Sequence, residues 1–312
     1  MTSTLVAALL PVIITLLLGF VAGWHHDFDS KQAGILNNMV MLYALPLCLF
    51  SGMVGLPRDQ IITQWPLGLA IIVAMVGSYV AAIVLSRYVF RRDIMTASLQ
   101  AFAVSGPAAA FVGIPVLGQL FGNEDTILIA IASIVINVIQ VPVTLIFLSS
   151  GQARANVSAR KPTLSNLITG ALFQPLVWAP LLALAFVFGG LHLPVSLQRS
   201  FALLGNATGG VALFASGIIL FAYRITLNIE VALVVLGRNI VVPAACLAVM
   251  LLLGMKPDIS REAVITLALP AVTLSIVLAV RYGVAEQQIA SVLFFSSVLS
   301  FPTIAAFVWI TT

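Results

Sequence analysis

The chain has 312 residues, of which 61% are apolar and 8% are charged, and its formal net charge is +4. A water-soluble domain needs a polar shell that this composition cannot supply, so the sequence predicts a protein that crosses the membrane several times. The basic residues are not interleaved with aromatic residues in a patch, and we therefore expect no nucleic-acid partner.

Long apolar runs occur along the whole chain. Residues 5–23 and 65–85 carry no charge and can cross about 30 Å of hydrocarbon as helices. The first run is expected to be retained, because it lacks the flanks and cleavage site of a signal peptide. The sequence predicts an all-α polytopic membrane protein with ten spans, which are 4–24, 33–56, 65–88, 94–121, 125–149, 165–189, 197–222, 229–254, 260–281 and 287–310.

The basic residues predict the orientation of these spans. Loops after odd-numbered spans contain nine Lys and Arg residues, whereas loops after even-numbered spans contain four. Loops rich in Lys and Arg stay in the cytoplasm, so we expect both termini to lie on the opposite side of a bacterial inner membrane.

Two spans are interrupted at matching positions. The fourth contains Ser105-Gly106-Pro107 followed by Gly113-Ile114-Pro115, and the ninth contains Leu269-Pro270. Proline removes a backbone donor and blocks regular helix, and the freed groups must face something polar inside a bilayer. Paired interruptions of this kind are the best sequence indication of a substrate site near the midplane of a secondary transporter.

The chain also divides into two similar halves. A hydrophilic stretch separates a first five-helix repeat at 1–150 from a second at 165–312, with residues 151–164 as a cytoplasmic linker. Because each half has an odd number of spans, the second is inverted relative to the first. We therefore predict two inverted repeats in which the broken helices 4 and 9 cross.

Carboxylates and histidines are absent from the middle of the predicted spans. All ten carboxylates and all three histidines fall in loops or near span ends. A buried proton relay and a catalytic base are therefore missing, and we predict no enzyme activity, no metal site and no cofactor. Cys48 and Cys246 are interpreted as small hydrophobic residues.

Arg238 is the only charged residue in the middle of a predicted span, because the other charges lie in loops or near span ends. A buried guanidinium is costly, so it should face a partner, carbonyls or water. Two interpretations stay open. In the first, Arg238 lies near an anionic substrate or holds a broken helix end, and in the second it caps carbonyls between packed helices.

Uncharged polar residues near the two breaks define a candidate substrate site. Asn137 and Gln140 are three residues apart in the fifth span and share a helix face, and Asn137 is expected to be the main donor to a carboxylate. The predicted cavity is bounded by spans 4, 5 and 9, with contributions from 2 and 7. The candidate substrate-binding residues are Asn137, Gln140, Ser105, Pro107, Ala108, Gly113, Pro115, Pro270, Thr273, Ser275, Ser51, Asn206 and Arg238.

Several short motifs, in this order and spacing, carry a resemblance to a known family. They are Leu18-Gly19-Phe20-Val21-Ala22-Gly23, Tyr43-Ala44-Leu45-Pro46, Phe50-Ser51, Gly113-Ile114-Pro115-Val116-Leu117-Gly118 and Arg281-Tyr282-Gly283-Val284. With them the chain resembles the auxin efflux carrier family over its whole length, and most of all its bacterial malonate transporter branch.

The resemblance implies an architecture and a mechanism. It implies a scaffold of spans 1, 2, 6 and 7, a mobile transport domain of spans 3–5 and 8–10, and a homodimer formed through the scaffold. It also implies that a small organic carboxylate anion such as malonate is moved across the lipid bilayer by an elevator-type displacement of the transport domain.

One departure from the family pattern affects the substrate. Many relatives carry an asparagine just after the proline of span four, whereas Ala108-Ala109-Ala110 follows Pro107 here. A related acid is therefore an alternative to malonate. Two other function classes stay open at this stage, a sodium- or proton-coupled symporter of bile-acid-transporter-like architecture and a channel or structural membrane protein.

Overall fold

The computed structural model of the protein describes residues 2–55, 58, 65–121, 127–155, 169–170, 173–191, 193–223, 225–255 and 257–311. Within these ranges the chain is almost entirely helical, and one isolated backbone bridge is the nearest approach to a strand. The two halves of an interrupted helix share a number below. The helices are α1 (Thr2–Trp24), α2 (Ser30–Val54), α3 (Trp65–Tyr88), α4a (Ile94–Ser105), α4b (Ile114–Phe121), α5 (127–155), α6 (Pro175–Phe188), α7 (Val195–Ala222), α8 (Ile229–Leu252), α9a (Pro257–Ala268), α9b (Leu274–Tyr282) and α10 (Glu286–Ile310).

Six of the described helices are long and apolar enough to cross a membrane, namely α2, α3, α5, α7, α8 and α10. Shorter apolar helices occur at Ile13–Trp24 within α1, in α4a and in α6. The fourth and ninth predicted spans are each divided, into helices of 12 and 8 residues and of 12 and 9 residues. None of these halves reaches the length of about 20 residues that a spanning helix requires.

Helix starts follow local capping chemistry. The Asp29 carboxylate accepts a hydrogen bond from the Gln32 backbone N–H at 2.7 Å, and the Gln32 side chain accepts one from the Asp29 N–H at 2.8 Å. The side chains of Asp93 and Asn228 cap α4a and α8 in the same way. These caps satisfy the free N–H groups of a first helical turn. They explain why α2 begins at Ser30, slightly before the predicted residue 33.

The start of α6 differs most from the sequence prediction. The sixth span was expected from residue 165, but α6 begins at Pro175, after a turn at Phe173 and Gln174. Proline suits the first turn of a helix, where its missing N–H costs nothing, whereas in a helix interior it kinks or breaks the helix. Residues 165–168 and 171–172 lie outside the described part.

Helix α1 packs closely against α7 through two glycines. A Cβ atom built on Gly19 would overlap the carbonyl oxygen of Phe214, and one built on Gly217 would overlap that of Leu16. Small residues permit backbones to approach closely, and this is the common way in which helices associate in membranes. The glycines in the α1 and α7 sequences therefore set how close these two helices come.

The remaining contacts form two sets of helices. In the first set, α2 packs against α6 and α7, and α1 packs against α7. In the second set, α3 and α5 pack against α4a, and α8, α9a and α9b pack against α10 or one another. The second half of each broken helix faces the first set, because α4b contacts α1 and α9b contacts α2. The sets also meet where α10 contacts α1 and α7, and where α5 contacts α6.

Candidate functional site

The two interrupted helices meet at their breaks. Pro107 and Ala271 form an isolated antiparallel bridge, and both residues are buried. Two backbone hydrogen bonds join the segments, from Ala108 N to Pro270 O at 2.9 Å and from Val272 N to Gly106 O at 2.9 Å. Backbone groups that lose their helical partners at the two prolines therefore find partners in the opposite break.

Four helix ends converge at this crossover, which comprises residues 104–109 and 267–274. The carboxyl ends of α4a and α9a stop there, and the amino ends of α9b and of the π-helical turn Ala109–Gly113, which continues into α4b, start there. A helix carries partial negative charge at its carboxyl end and partial positive charge at its amino end. Both signs of partial charge are thus brought together in a buried region.

Arg238 binds the two carboxyl ends. It lies on α8 and is 0% exposed. Its Nε donates to the carbonyl oxygen of Leu269 at 3.0 Å, its Nη1 donates to that of Val104 at 2.9 Å, and its Nη2 donates to that of Leu267. These carbonyls belong to helix ends that lack intrahelical partners. The structure therefore places Arg238 as a cap on the ends of both broken helices.

A second polar group lies beside Arg238 and was missed by the sequence analysis. Asn239 Nδ2 donates to the Ser296 carbonyl at 2.9 Å, and Ser296 Oγ donates to Asn239 Oδ1 at 2.7 Å. The same Ser296 Oγ accepts the Ala271 backbone N–H at 2.9 Å. This group connects α8 and α10 to the break in the ninth span. An asparagine directly after a buried arginine was the available signal.

Gln140 and Ser105 are brought together as expected from their positions. Gln140 Nε2 donates to Ser105 Oγ at 2.9 Å and to the Met75 carbonyl at 3.2 Å. Ser105 Oγ in turn donates to the Ala101 carbonyl at 2.8 Å. Gln140 therefore ties α5 to the end of α4a and to α3. Its Oε1 is buried and has no hydrogen-bond partner among the described residues.

Asn137 lies on the same π-helical turn of α5, Val135–Gln140, and is 5% exposed. Its Nδ2 donates to the Ser133 carbonyl at 2.6 Å. An amide nitrogen carries two N–H donors, so this bond leaves one of them for another acceptor. π-Helical turns are rare and occur often at functional sites.

Ala108, Gly113, Pro270, Thr273 and Ser275 are buried close to the crossover. Thr273 and Ser275 flank the start of α9b, and Ser275 Oγ donates to the Val272 carbonyl at 2.7 Å. Ala108 is 3% exposed, and Gly113 lies against Leu269, whose Cδ1 would be 3.1 Å from an added Cβ. Also in this region are Pro270, which is buried, and Pro115, which lies in the first turn of α4b.

Ser51 and Asn206 lie apart from this group. Ser51 Oγ donates to the carbonyl of Cys48 in its own helix at 3.2 Å, and Asn206 is exposed where α7 is interrupted. The two helices are in close contact there, because an added Cβ on Gly205 would be 2.9 Å from Cys48 Cα. Among the described residues no hydrogen bond links Ser51 or Asn206 to the crossover.

Sequence comparisons agree with this architecture. The sequence matches the family described as "Membrane transport protein" over residues 4–308. It is 30% identical to the uncharacterized transporter YfdV of Escherichia coli K12 over 286 residues, which cover 91% of this chain and 90% of YfdV. It is 23% identical to auxin efflux carrier component 5 of Arabidopsis thaliana, over 97% of this chain and 95% of that protein. It is also 23% identical to a putative malonate transporter of Rhizobium meliloti, over 96% of this chain and 94% of that protein.

Helical architecture, apolar composition and full-length similarity together define a multi-pass membrane transport protein. The chain belongs to the membrane transport protein family that includes the auxin efflux carriers, which confirms the resemblance drawn from its motifs.

Proposed function

We propose that the protein is a carrier for a small organic carboxylate anion, which binds at the crossover. The observation that carries this proposal is an asymmetry of charge. Arg238 occupies the two carboxyl ends, and it is the one charged side chain that is buried among those that the structure describes. The two amino ends therefore keep their partial positive charge, which favours a negatively charged ligand.

Asn137 is proposed as the main side-chain donor to the carboxylate. It is buried on α5, and Gln140 on the same helix is hydrogen-bonded to the end of α4a. One amide N–H of Asn137 binds Ser133, and the other can bind the anion. Gln140 Oε1 offers an acceptor for a hydroxyl group or for a water that accompanies the substrate. Thr273 and Ser275 at the start of α9b, and Ala108 beside the bridge, complete the proposed site.

The substrate class is proposed as mono- or dicarboxylates, with malonate as one member. One relative, at 23% identity, is named a putative malonate transporter, which supports an anionic substrate without identifying the acid. Ala108-Ala109-Ala110 offers only methyl groups after Pro107, so fewer polar contacts are available there. An acid with a larger apolar part than malonate suits such a lining better. The bile-acid-type alternative is not favoured, because the chain belongs to the family that includes the auxin efflux carriers.

For the mechanism we propose ten spans in two inverted repeats and an elevator-type movement. The packing of α1, α2, α6 and α7 on one another supports a scaffold, and the packing of the other helices around α4a and α10 supports a separate transport domain. The close glycine contact between α1 and α7 suits an immobile element. A homodimer through the scaffold, a bacterial inner membrane and extracytoplasmic termini belong to the same proposal.

Ligand binding to the purified protein tests the proposed function. Thermal unfolding is followed with a panel of mono- and dicarboxylates, each beside its uncharged primary amide. We expect a concentration-dependent rise in melting temperature with at least one carboxylate and none with its amide, since a ligand that binds only the folded state stabilises it. Uptake of the stabilising acid into proteoliposomes should then saturate. Equal shifts with acid and amide would contradict the anion site, and flux without saturation would favour a channel.

The orientation has its own test. A cysteine that replaces the exposed Arg91, in the loop between α3 and α4a, should react with an impermeant reagent only from the cytoplasmic side. Reaction only from the other side would reverse the proposed topology.

A further inference from the structure

A cavity lies between α3, α4a and α8, and its lining includes neither Asn137 nor the amino ends of the broken helices. Its volume is about 750 Å³, and it is enclosed by α3, α4a and α8. Small side chains of α3 form one wall, among them Ala74, Gly77 and Ala81, and apolar side chains of α8 such as Leu233 and Val249 form the other. This volume is within the usual range of ligand pockets, about 300–1,000 Å³.

The cavity lies beside the exposed apolar face of α3. The outer face of α3 consists of exposed apolar side chains, for example Val73 at 59% and Val80 at 54%. In a membrane this face contacts hydrocarbon. An unfilled apolar cavity loses dispersion contacts along its whole lining, so hydrocarbon from the bilayer is the expected occupant.

One end of the cavity is polar. Ser86 Oγ donates to Gln100 Oε1 at 2.5 Å, and Gln100 is 3% exposed. Gln100 and Glu230 both line this end, and Gln100 Nε2 makes no hydrogen bond of normal geometry, although the Glu230 carboxylate is close to it. That carboxylate accepts hydrogen bonds from Arg92 Nε at 3.0 Å and from Gln288 Nε2 at 2.9 Å. A buried N–H without a good acceptor favours a ligand that brings a carbonyl oxygen.

Beyond the polar end the surface is basic and aromatic. Arg87, Tyr88 and Arg91 are all exposed at the end of α3 and in the following loop. Arginine and tyrosine at this position are typical of the lipid headgroup region, and basic side chains there attract anionic headgroups.

We propose that this cavity binds one anionic phospholipid of the adjacent leaflet. One acyl chain lies between α3 and α8, its ester carbonyl accepts the free N–H of Gln100, and its headgroup contacts Arg87 and Arg91. The lipid fills the space between α3 and α8, next to Val104 at the edge of the crossover. This binding does not depend on which substrate the protein carries.

Native mass spectrometry in mild detergent tests the proposal. The wild-type protein should retain one phospholipid per chain, enriched in anionic species. Gly77→Leu projects a side chain into the cavity, because nothing lies within 4 Å of an added Cβ at Gly77. Retention should fall about tenfold, as expected when about two buried methylenes are displaced.

The matched control is Gly52→Leu. Gly52 is likewise exposed with nothing within 4 Å of an added Cβ, but it lies on α2, away from the cavity. The control should retain lipid like the wild type. Gln100→Leu, which removes the amide, should release the lipid in less detergent than the wild type requires. The proposal is overturned if the wild type retains no lipid, or if Gly77→Leu and Gly52→Leu retain it equally.

Discussion

The carboxyl ends and the amino ends of the broken helices have different side chains beside them in this fold. At the carboxyl ends of α4a and α9a, three backbone carbonyls bind one fixed guanidinium. At the amino ends, the nearest side chains are small and uncharged, such as Ala108, Thr273 and Ser275. A buried arginine costs about 2.5–3.5 kcal/mol or more in a membrane and is kept only where carbonyls compensate it. In the proposed function, Arg238 neutralises one pair of helix dipoles and the other pair favours an anionic ligand.

Replacing Arg238 should have the largest effect on transport and stability, because it removes the cap from both carboxyl ends. Arg238→Ala leaves three buried carbonyls without a donor, at about 1–3 kcal/mol for each unsatisfied group. We expect transport to be abolished and the melting temperature of the protein in detergent to fall. Arg238→Lys keeps the charge but not the planar fork, so it should recover stability only in part.

Arg199→Ala is the control, since Arg199 is exposed on α7. It should leave transport and melting close to wild type. Normal transport by Arg238→Ala would show that the crossover does not need this cap.

A substitution that disrupts the contact between α1 and α7 should lower the stability of the protein without altering its preference for the acid over the amide. Gly217→Ala places a Cβ onto the Leu16 carbonyl and must separate the helices. Gly210→Ala, on the same helix with nothing within 4 Å of the added Cβ, is the matched control. We expect only Gly217→Ala to lower the melting temperature, while the ratio of acid to amide affinity stays as in the wild type. A changed ratio would mean that this contact shapes the anion site.

Asn137→Ala should weaken binding of the carboxylate and leave the fold intact. Loss of a hydrogen bond to a charged group costs roughly 1.5–3 kcal/mol, which is about 10- to 150-fold in affinity. Isothermal titration with the acid found in the binding screen measures this directly. Asn38→Ala, at an exposed position on α2, should bind as tightly as the wild type. Unchanged affinity in Asn137→Ala would remove Asn137 from the site.

The smallest expected effect is at the hydrogen bond between Gln140 and Ser105. The variants Gln140→Leu, Ser105→Ala and the double variant form a cycle whose coupling energy should be about 0.5–1.5 kcal/mol, as for a neutral buried hydrogen bond. Unfolding in detergent provides the measurement, and Ser200→Ala at an exposed position of α7 is the control. Zero coupling would mean that this bond does not hold α5 to the end of α4a.

Local features of the fold could be predicted from the sequence, and long-range contacts could not. Pro107 and Pro270 interrupt the helices at the predicted positions, because proline acts on its own segment. The partners of Arg238 are the carbonyls of Val104, Leu267 and Leu269, which are distant in the sequence, so its two interpretations had to stay open.

The same limit applies to the candidate site. Ser105 and Gln140 were expected near one break and are hydrogen-bonded, since both spans were already assigned to it. Asn239 and Ser296 were missed because their contact depends on how α8 packs against α10. The start of α6 was misplaced because apolar residues continue on both sides of Pro175, which hides the turn.

The most direct test of the charge asymmetry compares one acid with its own primary amide on the purified wild-type protein and on Asn137→Ala, by isothermal titration. We expect the wild type to bind the carboxylate about 10- to 150-fold more tightly than the amide, as for hydrogen bonds to a charged group. We expect this ratio to be smaller in Asn137→Ala. Equal affinity of the wild type for the acid and the amide would contradict an anion site at the helix amino ends.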